Sequence, residues 1–227
     1  MSETLKETAE RIQAPLRVLV VDDHDLFRTG LRNLLEEQGV EVVGEASDGS
    51  QALRMTRDLA PDVVVMDLNM PGMSGVEATR HVTSAAPLTR VVVLTISDQD
   101  SDVLDAILAG ACGYLMKDAS IDELMAGIRA ASIGESLISS HIAGKVLQRI
   151  RATSAQPQIA EQIRSELSDR EIQVLKLIAN GKDNSVIAAE LHISPKTVKN
   201  HISNILMKLQ IQNRIQAAVY AVRSGLV

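Results

Sequence analysis

Three carboxylates, a hydroxyl and an ammonium stand out because each follows directly on an apolar run. Asp22 and Asp23 follow RVLVV at Arg17–Val21, and Asp67 follows VVVM at Val63–Met66. Thr95 follows VVVL at 91–94, and Lys117 follows YLM at 114–116. If these runs are parallel strands, all five residues lie at the carboxyl edge of one sheet, where open α/β sheets form their sites. Clustered carboxylates raise one another's pKa unless a cation joins them. Their hard oxygens suit a small divalent ion such as Mg2+, which keeps several waters and leaves room for a phosphate. A carboxylate beside such an ion can attack a phosphoryl group and become an acyl phosphate. Asp67 is the candidate nucleophile, with Thr95 and Lys117 to hold the phosphoryl oxygens. Asp residues after strands also cap helices, and Asp-Asp-His-Asp at 22–25 fits that role as well.

The elements that would position these residues are short β-branched runs alternating with helical stretches. A weaker strand at 40–43 joins the four runs above, and segments such as 26–38 and 103–110 are long enough for crossover helices. Apolar runs without alternation indicate strands buried on both faces, as in a parallel sheet covered by helices. Five such units predict a doubly wound α/β domain with a five-stranded parallel sheet, roughly 120 residues long.

The C-terminal punctuation is that of short helices. Ser168 and Glu171 make a capping-box pattern, and Gly181 closes the helix that follows. Asp183 caps a second helix through Leu191. Ser194-Pro195 starts a third that runs to about Leu209, and Asn213 to Gln216 is a second capping-box pattern opening a fourth. In the third helix Val198, Ile202, Ile205 and Leu209 form an apolar stripe, with Leu206 beside it. Lys196, Lys199, Asn200 and Ser203 lie on a polar face flanked by Thr197, His201, Asn204 and Lys208. Lys suits phosphates or guanine edges and Asn suits adenine edges, although a solvated helix face has the same composition. An all-α module of four helices with a helix-turn-helix is the expected architecture. In the last helix Ile215, Ala218, Val219 and Val222 are available for core or interface.

Bulk properties fit two domains with different partners. The net charge of −6 over 227 residues is unevenly spread. Residues 1–156 carry 14 Lys and Arg against 23 Asp and Glu, whereas 157–227 carry 9 against 6. Aromatics are only 1%, namely Phe27, Tyr114 and Tyr220, which disfavours stacking platforms for single strands. One cysteine, Cys112, excludes an internal disulfide and fits a reducing compartment. His192 and His201 lack Cys or carboxylate partners at metal-ligand spacing. No apolar run approaches the roughly 20 residues of a membrane helix, and residues 1–15 have no signal-peptide core. The expected location is the cytoplasm. The expected division is a flexible leader at 1–15, a sheet domain at 16–132, a partly helical linker at 133–165 broken at Pro157, and the helical module at 166–227.

VVDDHDLFR, DLNMPGMSGVEATR, TISD and GYLMKDAS resemble the receiver domain of bacterial two-component response regulators, a flavodoxin-like fold. LSDREIQVLKLIANGKDNSVIAAELHISPKTVKNHISNILMKL with IQNRIQAAVYAVRSGLV resembles the LuxR-type helix-turn-helix. Together they resemble the NarL/FixJ class. The resemblance implies that Asp67 is the phosphoacceptor. It further implies that Asp23, Asp67 and the backbone carbonyl of Asn69 bind Mg2+ directly, with Asp22 acting through water. Thr95 matches the switch hydroxyl, Tyr114 the switch aromatic and Lys117 the lysine of the pattern. Lys117 is followed by Asp118 where many receivers carry proline, a common variant. Tyr114 also reads as a plain core residue. In the reader, Lys199, Asn200 and Ser203 match base-facing positions, and Lys196, Thr197 and His201 match phosphate contacts. Several relatives carry a basic residue at the position of Ser203.

The implied function is transcription control. A partner histidine kinase phosphorylates Asp67, and a homodimer then binds double-stranded DNA at two half-sites. A Mg2+-dependent phosphatase with Asp67 as nucleophile is the enzyme alternative, but no substrate-covering cap domain is evident and a reader follows. A receiver controlled by protein contacts alone is the third reading, and the complete acidic set argues against it. The chain is therefore not expected to be an enzyme beyond accepting and slowly losing its own phosphoryl group.

Overall fold

The computed structural model describes residues 15–96, 100–138, 161 and 165–227. Most of the expected leader, the expected helical patch around 142–150 and most of the linker lie outside the described residues.

The strands are β1 (Arg17–Val21), β2 (Glu41–Ala46), β3 (Val63–Met66), β4 (Arg90–Thr95), β5 (Gly113–Met116) and β6 (Leu137–Ile138). They form one parallel sheet in the order β2-β1-β3-β4-β5-β6. The five expected strands are all present. The two-residue β6, which falls within the expected linker, adds a short sixth rung beside β5. Residues after the last helix of the sheet domain therefore first run along the sheet edge. Period-two alternation then divides the core. Val18, Val20, Val63, Val65, Val92 and Leu94 pack against α1 (Asp25–Glu37) and α5 (Ile121–Ser132) through Leu31, Leu35, Leu124 and Ile128. Leu19, Val21, Val64, Met66 and Val91 face the other way, onto α2 (Gly49–Leu59) and α3 (Gly75–Ala85). Val93 and Tyr114 share that second side with α4 (Asp100–Leu108). Each fully buried Val or Leu contributes about 1.5–3 kcal/mol, so strands apolar on both faces are stable only between two helical layers.

The direction of winding reverses between β1 and β3, and the crevice at their carboxyl ends is the topological switch point. The loop after β3 is pinned there by Gly75. A Cβ at that residue would lie 1.9 Å from the Asp67 carbonyl oxygen, so only glycine lets α3 start so close to the strand end.

The helical module consists of α6 (Asp169–Ala179), α7 (Asn184–Glu190), α8 (Pro195–Lys208) and α9 (Arg214–Arg223) around Val174, Leu175, Ile178, Ile187, Val198, Ile205 and Leu209. Each start obeys its cap. Ser168 and Glu171 close a reciprocal capping box, and the side chains of Asp183, Ser194 and Asn213 accept from N–H groups of their first turns. Gly181 takes φ +73° just past α6. The second expected box is not closed. The Gln216 side chain accepts from the Gln212 N–H at 2.6 Å, one residue before the cap. No helix among the described residues is long and apolar enough to cross a membrane.

Candidate functional site

The acidic crevice assembles as the strand ends require. Asp22 and Asp67 are each 2% exposed, at the ends of β1 and β3, and Lys117 reaches them from the end of β5. Its Nζ lies 2.6 Å from Asp22 Oδ2 and 2.9 Å from Asp67 Oδ2. The same ammonium stands 4.6 Å from the centroid of the Phe27 ring. Burial pushes the Lys117 pKa down, but hydrogen bonds and charge attraction from Asp22 and Asp67 outweigh it and hold it above the ordinary value. Lys117 is thus a fixed cation. The other Asp67 oxygen accepts from the Leu68 N–H at 2.7 Å. Thr95, fully buried at the end of β4, accepts a long hydrogen bond from Asn69 Nδ2 at 3.4 Å. Its carbonyl accepts from the Lys117 N–H at 2.9 Å, which ties the ends of β4 and β5 together.

The capping alternative for Asp22 and Asp23 finds no support. His24 occupies the N-cap of α1 and makes no side-chain cap bond. Its ring turns back towards the acids, with Nδ1 2.8 Å from Asp23 Oδ1 and 3.3 Å from Asp22 Oδ1. Asp23 Oδ1 is shielded from solvent yet has no hydrogen-bond partner among the described residues. One donor atom each from Asp22, Asp23, His24 and Asp67 lies within 4.8 Å of the others, so the group can hold a metal ion. Hard carboxylates around an orphaned oxygen suit a divalent cation. The sequence reading placed His24 only in a capping pattern. Its adjacency to the acid pair was the available signal.

The candidate nucleic-acid face is on α8. Lys196, Lys199, Asn200 and Ser203 are exposed, while Thr197 and His201 are half-buried. The Thr197 hydroxyl is 2.8 Å from that of the Ser194 cap, and Ser203 Oγ donates to the Lys199 carbonyl at 3.1 Å. Lys199 Nζ also lies 3.4 Å from Glu135 Oε1, at the end of the sheet domain. Val198 and Ile205 are buried as expected, while Ile202 is only half-buried.

A contact that the sequence did not announce joins the two modules. Asn213 Nδ2 donates to the carbonyls of Gly110 and Ala111 at 3.0 and 2.9 Å. Gln216 Nε2 donates to those of Ile107 and Leu108 at 2.9 and 3.0 Å. Beside these bonds Ile215, Val219 and Val222 pack into the cluster of Val103, Leu104, Ile107 and Tyr114. Tyr114 is wholly buried there, as the core reading expects, in the same cluster as Val219 of α9.

The chain matches the model of the response regulator receiver domain over residues 18–129 and that of bacterial regulatory proteins of the luxR family over 165–221. It is 47% identical to the transcriptional regulatory protein LiaR of Bacillus subtilis (strain 168), over 93% of this chain and 99% of LiaR. Its structure is similar to that of the response regulator ChrA of a heme-sensing two-component system, at 37% identity and TM-score 0.52, covering 94% of this chain and 99% of that one. It is also similar to the response regulator RcsB in a DNA complex, at 25% identity and TM-score 0.54, covering 91% and 98%. A parallel-sheet domain with its acidic crevice, a capped four-helix module, and matches to both family models over most of the chain lead to one conclusion: this protein belongs to the two-component response regulators that join a receiver domain to a LuxR-type DNA-binding domain.

Proposed function

We propose that Asp67 accepts a phosphoryl group from a partner histidine kinase and that this charge controls how the LuxR-type module binds DNA. The observation that carries the reading is the pairing of buried Asp67 with the fixed cation of Lys117, beside Asp22 and with Thr95 at the adjoining strand end. Members of this family are transcription regulators rather than classical enzymes, and the phosphoryl chemistry proposed for Asp67 is self-catalysed. A carboxylate oxygen of Asp67 forms the new bond to phosphorus as the bond to the donor's imidazole nitrogen breaks, and water later hydrolyses the acyl phosphate. Lys117 holds one phosphoryl oxygen and Thr95 another. Asp23, Asp67 and the carbonyl of Asn69 would hold Mg2+ directly, with Asp22 acting through water. When bound, that ion neutralises charge on the phosphoryl oxygens.

Thr95 moving to the phosphoryl group frees space into which Tyr114 turns, and Tyr114 lies beneath α9. The α9 contact then loosens, Lys199 leaves Glu135, and α8 becomes free to enter a major groove. Lys199, Asn200 and Ser203 face bases, and Lys196, Thr197 and His201 contact phosphates. One short helix reads few base pairs, so a homodimer on two half-sites is the binding form, acting in the cytoplasm where the DNA is. The working division is a leader at 1–15, a receiver at 16–132, a linker at 133–165 and a reader at 166–227.

Intact mass after treatment with acetyl phosphate and Mg2+ tests the first step. One phosphoryl adduct on the wild type and none on Asp67→Ala is expected; no adduct on the wild type, or an equal one on both, overturns it.

A further inference from the structure

We infer that His24 is a fourth protein ligand of the acidic site and biases that site towards ions that accept nitrogen, Mn2+ above Mg2+. The inference rests on the reading above that the crevice holds a divalent cation. It starts from an unusual arrangement at the head of α1. The N-cap position normally offers its side chain to the free N–H groups of the first turn. His24 has extended backbone there, φ −90° and ψ 104°, yet gives its ring to no cap bond. Its peptide N–H donates to Asp22 Oδ1 at 2.9 Å, which folds residue 24 back over the end of β1. The ring follows, and Nδ1 comes to 2.8 Å from Asp23 Oδ1.

That short approach is the spacing of an ion pair when the ring is protonated, and of two ligands sharing a cation when it is not. Asp23 Oδ1 is shielded from water and unpartnered among the described residues even with the nitrogen beside it. Two donor atoms this close, one of them with no hydrogen-bond partner among the described residues, can both face one cation. The spacing agrees. Metal–donor bonds of about 2.1 Å in an octahedron put adjacent donors about 3 Å apart and opposite ones about 4.2 Å apart. Nδ1 stands 2.8 Å from the Asp23 oxygen, an adjacent-ligand spacing, and 3.3 Å from the water-linked Asp22 Oδ1; one donor atom from each of the four residues lies within 4.8 Å of the others, somewhat wider than a closed octahedron. The other side of the crevice is closed to a second cation by Lys117, which engages the remaining oxygen of Asp22. The ion's place is therefore on the His24 side. The ring is two-thirds exposed, so it can swing onto or off an ion without disturbing the core.

Ligand chemistry sets the consequence. Imidazole nitrogen adds little for hard, oxygen-seeking Mg2+ and progressively more along the series from Mn2+ to Ni2+. A carboxylate-only crevice has no such preference built in. His24 thus acts as a specificity-determining residue for the metal that supports phosphorylation.

The test uses the full-length untagged protein with Mn2+ as the probe, at one fixed pH. Bound and free Mn2+ are separated by electron paramagnetic resonance, Mg2+ is titrated in competition, and spin-echo modulation reports 14N directly bonded to manganese. Wild type, His24→Ala and His24→Asn are compared, the last keeping a good N-cap so that the helix start is preserved. Asp67→Asn serves as the control for the site, and circular dichroism verifies folding. The expected result is a directly bonded nitrogen in the wild type that both His24 variants lose. The Mn2+ over Mg2+ preference should fall about tenfold with it. Binding that Asp67→Asn weakens, with no nitrogen signal and the same preference in all His24 forms, overturns the role of His24 and leaves the acidic site standing. Wild type that binds no Mn2+ at millimolar concentration, or binds it equally well as Asp67→Asn, overturns both.

Discussion

At the scale of single residues, the crevice is an imbalance held in check. Two almost wholly buried carboxylates share one ammonium, and a third, Asp23, lies beside them. Lys117 is consequently as much a structural cation as a phosphate ligand. Lys117→Met leaves Asp22 and Asp67 facing each other without a counter-charge, at a cost of about 3 kcal/mol in chelator. Added Mg2+ replaces part of the lost charge, so thermal unfolding should show the variant gaining more from the ion than the wild type does. Equal gains in the two proteins would mean that Lys117 does not share its carboxylates with a metal. Cys112 is the opposite case, a residue of chemical type without chemical use. It is 3% exposed, and burial pushes its thiol pKa up against the weaker pull of Arg90. Maleimide should label it at the rate of global opening and no faster; labelling within seconds of mixing in native buffer would contradict that burial.

At the scale of elements, the parts fixed by local chemistry were legible and the parts fixed by partners far along the chain were not. Strands showed themselves because burial on both faces demands unbroken apolar runs, and their ends showed the site because a polar residue there has nowhere to go but the crevice. Helix starts were legible from Ser168, Asp183, Ser194 and Asn213, since an N-cap is satisfied within its own turn. Strand β6 was hidden because two residues have no period. Gln216 was misplaced because its amide answers carbonyls more than a hundred positions away. Glu171 shows how a local signal can carry a second duty. It completes the box at the head of α6, and its carboxylate also accepts from Lys208 Nζ at 2.7 Å, clamping the end of α8. Burial pushes the Glu171 pKa up, but the bonds from Lys208 and Ser168 prevail and hold it below the ordinary carboxylate value. A depressed carboxyl stabilises the fold fully above its unfolded pKa, near 4.3, and loses that contribution as pH falls through the lower folded value. Reader stability should therefore be flat near neutrality and decline in acid. Lys208→Met should lower it at pH 7 by about 1–3 kcal/mol, with the difference shrinking once Glu171 is protonated. A gap in unfolding midpoints that stays constant into acid would show that the pair is not coupled.

At the scale of the whole molecule, the receiver and reader are joined by a contact that finishes a helix in one with side chains from the other. The last carbonyls of α4 and the turn after it would otherwise need water or a cap. Asn213 and Gln216 donate to four carbonyls there, Ile107's already accepting from the Gly110 N–H, and Tyr114 and Val219 exclude water beside them. The Lys199–Glu135 pair is exposed at both partners and holds far less. The two contacts are therefore expected to behave differently. Glu135→Ala should shift the balance between closed and open forms by well under threefold, as an exposed ion pair does. Gln216→Ala removes two bonds and leaves the Leu108 carbonyl without its donor, a loss of about 1–2 kcal/mol or roughly tenfold in the closed-to-open ratio. Small-angle scattering of the unphosphorylated protein should report a larger radius of gyration for Gln216→Ala and none of that change for Glu135→Ala. Amide exchange should quicken in α4 and at 109–111 while the acidic crevice keeps its protection. Phosphorylation should then raise DNA affinity less in Gln216→Ala than in the wild type, because the step it drives has already been taken in part. If Gln216→Ala left both the radius and the phosphorylation response unchanged, the α4–α9 contact would not be what restrains the reader.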